Sequence, residues 1–598
     1  MIKKMEKVNN RVHIGDILVQ NGVISEEQLQ KTRMIQNGNS DYSTHKFIQI
    51  LYQDLDMDYD ELMKAVSDIY VLREFQLSEE ELTDEYIGNI KRLLDTFSDS
   101  DINEFLSLDA LPVEHQHKTL IIATADPTDA RLVELLTRLS INHFELVYCR
   151  RNTLRELVEK VLYTKNDILQ ELEDVQITES EIEEAATEEI NEEEIDREIN
   201  QSMLNKLVEG MFIQAVREGA SDIHVVPVNS FTTDIRFRTD GKLNLWHQQK
   251  KVRPEALVAV VKDKARNVDR FERDRSQDGF IQRKVDNVNI RYRVSIMPIV
   301  GTEFGKKFES VVIRVLDDRK VITDLNKLGL QDHALKLFTK AINKPSGMVI
   351  MTGPTGSGKS TSLVAALHHV MDPSKNVLTV EDPTEYIIAG ARQLKISSKM
   401  TFDQSMRGIL RHDPDIVLVG EIRDLNTAEI AIKLANTGHL TFSTLHTNDA
   451  PSAISRLYKM GVEPFLIANA VNLIMAQRLV RKLCDHCKIE MTNKHPEVAR
   501  SLGFTDAEIE ESVFHRANEL GCKHCTHGYK GRLAIIEALY FTPEIRSLIL
   551  DAGSNIDEEE IRSWAIEHGM MTLRASGRER IKEGTTSFDE VLSMTVED

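Results

Sequence analysis

Apolar positions along this chain switch between helical spacing, strict alternation and short continuous runs, and the switches mark out its parts. Residues 11–36, RVHIGDILVQNGVISEEQLQKTRMIQ, keep helical spacing, with Gly22 ending one helix and Ser25 capping the next. Within 102–163, TLIIATADPTDARLVELLTRL reads as a strand, a turn and an amphipathic helix, and FELVYCRR as a second strand; a compact α/β module is expected. An amphipathic helix from about Leu204 to Glu218 leads into ASDIHVVPV and TTDIRFRTDGKL, where Asp240-Gly241 marks a hairpin. IRYRVSIMPI and SVVIRVLDD continue the alternation, so residues 200–316 read as a sheet with helices. From about 325 to 480, apolar runs alternate with helical patterns in the manner of a parallel nucleotide-binding sheet. Beyond Cys484 come two cysteine pairs and a mostly helical tail.

One apolar run, Met348-Val349-Ile350-Met351, is followed by GPTGSGKST and then by helical spacing at Leu363, Ala366 and Leu367. Gly353, Gly358, Lys359 and Ser360 thus hold the spacing G-x-x-x-x-G-K-[ST] between strand and helix, the context a phosphate-binding loop needs. Glycines at 353, 356 and 358 let backbone N–H groups wrap phosphate oxygens. Lys359 neutralises the β and γ phosphates, the Ser360 hydroxyl can ligate magnesium, and the helix N-terminus adds a favourable dipole. Gly353, Pro354, Thr355, Gly356, Ser357, Gly358, Lys359, Ser360 and Thr361 form the candidate cradle. A plain glycine turn has no use for Lys followed by Ser at those places.

Two later segments carry acids. NVLTVEDPTEY ends a short strand with Glu381, Asp382 and Glu385, one of which can orient or deprotonate an attacking water. DPDIVLVGEIRD ends the run Ile416-Val417-Leu418-Val419 with Gly420-Glu421, placed for magnesium and its waters. Singly, each acid reads equally well as a solvated charge; their shared position after apolar strands favours a site. NTGHLTFSTLHTNDA sets His439 and His446 on either side of a strand, where hydrogen bonding towards a phosphate or water competes with an ordinary structural role.

Composition bounds this picture. The 598 residues exceed one core and imply three to five domains. No apolar run approaches the roughly 18–20 residues that span a bilayer, and MIKKMEKVNNRVHIGDIL lacks an apolar signal core, so a cytoplasmic protein is expected. The net charge of -22 argues against direct nucleic-acid binding. Much of it is local: residues 171–198 hold fourteen acids against one Arg, a stretch read as a linker, with a solvated helix as the alternative. Cys484-x-x-Cys487 and Cys522-x-x-Cys525 have the pairing of a closed zinc site, a redox pair being the alternative, and Cys149 is read as buried. The 34 residues between the pairs leave room for a helical hairpin.

GPTGSGKST, TVEDPTE, DPDIVLVGEIRD and TGHLTFSTLHTN, in that order and preceded by ASDIHVVP and RFRTDG, resemble the secretion ATPase superfamily, and closely the assembly motors of type IV pili and type II secretion systems. The resemblance spans roughly 200–590. With the patterns above it implies an α/β multidomain protein: a helical module over 1–100, a small α/β part over 101–168 and an acidic linker over 169–200. A smaller PAS-like α/β domain follows over 201–325. A P-loop, RecA-like parallel-sheet ATPase domain occupies 326–598, with a zinc-binding insertion at about 480–530. It further implies a magnesium-dependent, homo-hexameric ATPase with Glu385 as catalytic base, Glu421 as the magnesium-linked acid and His446 as a phosphate sensor. Arg236, Arg238, Arg291 and Arg293 become candidate arginine fingers, each worth about a thousandfold in rate if so used; a basic exposed face is the alternative. The tetracysteine element occurs in assembly motors and not in retraction motors. HIGDILVQNGVISEEQLQKTRMIQ resembles the first half of a cyclic di-GMP-binding module through Ile14, Gly15, Leu18, Gly22, Leu29 and Gln36. His13 and Arg33 stand where that pattern has Arg and Leu, so docking on an inner-membrane platform protein is expected there ahead of cyclic di-GMP. The expected function is a cytoplasmic motor driving pilin or pseudopilin assembly. A regulatory nucleotide-binding subunit with little hydrolysis, or a DNA-uptake motor, is the alternative.

Overall fold

The structure is a computed structural model that describes residues 13–37, 43–53, 55, 57–75, 84–116, 118–162, 202–301, 307–396, 399–522, 524–552 and 556–595. The acidic stretch read as a linker lies outside the described residues. The chain forms two compact units. The first takes in the described residues of Met1–Lys165 with Leu483–Thr492 and His515–Lys530; the second takes in those of Asn166–Lys482, Asn493–Phe514 and Gly531–Asp598.

The first unit opens with four helices, Ile14–Gln20, Glu26–Asn37, Thr44–Gln53 and Tyr59–Ile69. Gly22, at φ 71°, turns the chain after the first. Ser25 and Gln28 exchange side-chain and backbone hydrogen bonds that start the second, the reciprocal cap its sequence calls for. A sheet follows, made of β1 (Ala110–Gln116), β2 (Thr119–Thr124) and β3 (Phe144–Tyr148). β2 pairs antiparallel with β1 and parallel with β3, the helix Ala130–Arg138 making the crossover. Cys149 is buried beside it.

The second unit contains two sheets. The first is antiparallel and six-stranded: β4 (Asp222–Asn229), β5 (Thr232–Thr239), β6 (Lys242–Lys250), β7 (Gln277–Val285), β8 (Val288–Val300) and β9 (Lys307–Leu316), in the order β6-β5-β4-β9-β8-β7. Ile223, Val225, Phe237, Tyr292, Val294 and Ile313 share one core with residues of the helices Ser202–Arg217 and Pro254–Lys264. Side chains alternate along a strand, so the residues between these apolar positions project from the opposite face.

The second sheet comprises β10 (Gly347–Thr352), β11 (Val377–Glu381), β12 (Arg392–Lys395), β13 (Ile416–Val419), β14 (Leu440–Leu445), β15 (Val471–Leu483) and β16 (Tyr529–Tyr540), ordered β12-β11-β13-β14-β10-β15-β16. Pairing is parallel from β12 through β15. Every residue of β10, β13 and β14 is buried, as strands covered on both faces must be. Register puts Val380 opposite Val419, Val419 opposite Ser443, and Thr352 opposite Leu445. The carboxyl ends of four adjacent strands therefore open on one edge. The helices Pro496–Ser501 and Asp506–Glu511 lie between the cysteine pairs.

Phe442 is fully buried in the middle of β14. Phe442→Ala should cost the second unit about 3–5 kcal/mol in urea unfolding; a loss below about 1 kcal/mol would remove it from the core.

Candidate functional site

β10 ends at Thr352 and the chain turns through Gly353–Gly358 into the helix Lys359–Val370. Gly353 (φ 144°) and Gly358 (φ 88°) hold left-handed conformations. A Cβ on the first would lie 2.5 Å from the Gln477 carbonyl oxygen, and one on the second 2.6 Å from Gln477 Nε2, so only glycine serves at either place. Gln477 uses both ends of its buried amide: Nε2 donates to the Ser357 carbonyl at 2.8 Å, and Oε1 accepts from Ser362 Oγ at 2.8 Å. Loop and helix start are thereby fastened to β15.

Lys359 is buried, and its Nζ donates to the carbonyls of Gly353 (2.7 Å) and Pro354 (3.0 Å). Burial, and then the neighbouring charge of Arg478, push its pKa down to about 8. Arg478 is buried too and donates to the Asn448 carbonyl at 2.8 Å. Neither cation has an ion-pair partner among the described residues. The Ser357 hydroxyl is buried without a hydrogen-bond partner. Two desolvated cations, an orphaned hydroxyl and a helix N-terminus fit an oxyanion.

The acids come to the same edge. Glu381 closes β11, accepts from Thr379 Oγ1 (3.0 Å) and Gln393 Nε2 (3.2 Å), and has its pKa raised by burial. Asp382 is exposed. Glu385 lies in the following loop, with Oε1 3.4 Å from Arg314 Nη1, and its charge favours the protonated form of Lys359. Glu421, just past β13, is ion-paired with Arg423 and lies 3.2 Å from His446 Nε2. Burial, then Lys359 and Arg423, lower the His446 pKa, which leaves the imidazole neutral near pH 7. A magnesium role for Glu421 therefore requires its carboxylate to exchange Arg423 for the cation.

His439 is not brought to this edge, which corrects its reading as a nucleotide contact. It precedes β14 while His446 follows it, and six strand residues separate them by about 20 Å. Its Nδ1 lies 2.9 Å from the Leu434 carbonyl oxygen and 3.1 Å from Thr437 Oγ1, at the C-terminal end of the helix Leu425–Asn436.

The candidate arginines share the outer face of the six-stranded sheet. Register aligns Arg238, Asp222, Arg314 and Arg293 in one row across β5, β4, β9 and β8. Arg236 pairs with Asp234 at 2.7 Å, Arg238 donates to the Gly241 carbonyl at 3.0 Å, and Arg293 lies 4.0 Å from Asp278. Arg291 pairs with Asp318 (2.9 Å) and reaches the Glu385 carbonyl at 3.4 Å. Arg314, which the sequence reading passed over, touches the Glu385 carboxylate and also pairs with Asp222 at 3.2 Å.

The four thiols of Cys484, Cys487, Cys522 and Cys525 are buried within 4.8 Å of one another. Sulfur–sulfur separations include 3.8 Å (484–522), 3.6 Å (487–525) and 3.6 Å (522–525). A tetrahedron with metal–sulfur bonds of about 2.3 Å has edges of about 3.8 Å, so the residues fit zinc. In the N-terminal module, His13 Nδ1 accepts from the Gly15 N–H at 3.1 Å, Arg33 pairs with Asp16 at 2.7 Å and Gln36 is buried.

A family model described as "Type II/IV secretion system protein" matches residues 197–593. The chain belongs to the type II/IV secretion system protein family. An MshEN domain model matches residues 100–166, C-terminal to the 11–36 pattern read from the sequence. Among family relatives, the type IV pilus assembly ATPase PilB of Myxococcus xanthus is 36% identical over 498 residues, covering 82% of this chain and 84% of the relative. Type II secretion system protein E of Pseudomonas aeruginosa is 41% identical over 396 residues, covering 66% of this chain and 76% of the relative. The X-ray structure of the Yersinia pseudotuberculosis ATPase DotB has a TM-score of 0.50 at 20% identity, covering 66% of this chain and 94% of that one, and shows the fold alone.

Arg314, Arg423, Gln477 and Arg478 are the site residues missed in sequence. Arg314 was discoverable, since it alternates with core residues in SVVIRVLDD as the named arginines do in their strands. Gln477 and Arg478 sit in an apolar strand far along the chain, and no local spacing ties them to the loop.

Gln477→Ala should unfasten the loop, lowering ATP affinity about tenfold and stability by about 1–3 kcal/mol; unchanged affinity in calorimetric titration would dismiss the clamp. Bound phosphate raises the Lys359 pKa above its free value of about 8, so ATP binding takes up a proton at higher pH. Affinity should then fall by up to about tenfold per unit above pH 8, while a flat titration from pH 7 to about pH 9.5 would place the lysine pKa at its ordinary, higher value.

Proposed function

We propose that this family member is a magnesium-dependent ATPase motor that drives assembly of pilin or pseudopilin subunits. The observation carrying this reading is the convergence of Lys359, Glu385, Glu421 and His446 on one strand edge beside a phosphate-shaped loop, in a chain 36% identical to a pilus assembly ATPase. Residues Gly353–Thr361 hold the triphosphate, with Lys359 and Arg478 countering its charge. Ser360 and Glu421 hold magnesium, which would neutralise phosphate charge. Glu385, paired with Arg314 in this state, takes the role of general base, and His446, neutral and hydrogen-bonded to Glu421, reports on the terminal phosphate.

The motor works as a homo-hexamer, and arginines of the outer sheet face, Arg236, Arg238, Arg291, Arg293 and Arg314, supply charge to nucleotide sites. It acts at the cytoplasmic face of the inner membrane by docking on a platform protein; no helix among the described residues is long and apolar enough to cross a membrane. Zinc holds the tetracysteine element. Engagement of His13 and Arg33 within their own module supports a docking role for that module ahead of cyclic di-GMP binding.

Glu421→Gln should leave ATP binding intact and slow hydrolysis by about two orders of magnitude or more; unchanged turnover would shift the role to another carboxylate. Specific ATPase activity of the wild type should rise with protein concentration as rings form, and tight binding without hydrolysis at every concentration would favour a regulatory subunit.

A further inference from the structure

In the segment that leads into the second cysteine pair, Leu520 is buried although its neighbour Glu519 is exposed. Leu520 is 2% exposed and joins an apolar cluster with Ile87, Ile90, Leu94, Leu154 and Val158. Glu519 Oε2 accepts from Arg155 Nη2 at 2.7 Å. Both partners are partly exposed, so this pair orients the contact more than it strengthens it. Arg516 stands within electrostatic reach of Asp109, which itself holds Arg151 at 2.7 Å. Leu154, Arg155 and Val158 lie on the helix Arg151–Leu162, inside the stretch matched by the MshEN model.

A loop of this size has no apolar core of its own, and four thiolates around a metal are what give such a loop a single shape. Once shaped, it holds Leu520 in place, and the apolar residues that bury that leucine come from the N-terminal α/β module. Chain continuity ties the same loop to β15, which ends at Leu483, and to β16, which starts at Tyr529.

We propose that the tetracysteine element is the docking seat for the N-terminal α/β module of its own chain, with Leu520 as apolar anchor and Arg155–Glu519 as the orienting pair. The module and the tetracysteine element thus belong to one compact unit, held together by a metal-organised contact. This goes beyond hydrolysis and does not depend on it.

Hydrogen–deuterium exchange of the full chain tests the proposal, with zinc content measured on every variant. Leu520→Asp should keep its metal and raise amide exchange in the helices Asp84–Leu94 and Arg151–Leu162 by about tenfold or more. Arg155→Glu and Glu519→Arg should each raise it by less, and the double variant should restore protection. Stripping the metal from wild type with a chelator should reproduce the Leu520→Asp pattern. Unchanged protection in Leu520→Asp with the metal retained overturns the proposal. Should that variant lose its metal, the charge swap decides: additive losses with no restoration in the double variant overturn it equally.

Discussion

The nucleotide end of this protein depends on two buried cations, Lys359 and Arg478, that have no ion-pair partner among the described residues. Burying a charge without a partner costs several kcal/mol. Here Lys359 is held by the Gly353 and Pro354 carbonyls and Arg478 by the Asn448 carbonyl. Neutral carbonyls satisfy hydrogen bonds but not charge, and the lowered lysine pKa reads out that deficit. An oxyanion removes it. The left-handed glycines and the Gln477 amide hold the loop and the helix start in one shape, so the groups that would meet a phosphate are positioned in advance.

The parallel sheet supplies the rest of the chemistry by register. Because β11, β13, β14 and β10 run the same way and start level, Glu381, Glu421, His446 and Gly353 emerge together at their carboxyl ends. The six-stranded sheet obeys the other rule, alternation, which sends apolar side chains to the helices and arginines to the opposite face. Arg314 and Arg291 connect the two by touching the carboxylate and carbonyl of Glu385.

Local signals were legible wherever a residue's role depends on its neighbours in the chain. Gly353–Ser360 declares itself through strand, glycines and helix; Ser25 and Gln28 form the cap their spacing promised; the cysteine pairs sit at tetrahedral distances. His439 was misread because the same motif holds two histidines, and only the strand between them shows that they point to opposite ends. Gln477 and Arg478 were invisible for the converse reason: they lie more than a hundred residues from the loop they support and become its neighbours only when β15 pairs with β10.

By itself the sequence determined the phosphate loop, the acidic strand ends, the tetracysteine set and the family, because each rests on short-range spacing that sterics and coordination geometry constrain. Tertiary structure alone decided which arginine meets Glu385, which amide clamps the loop, that Arg423 occupies Glu421, and that Leu520 is buried against the N-terminal module. Those are contacts between strands and loops distant in the chain, set by sheet order and register, and no local pattern encodes them.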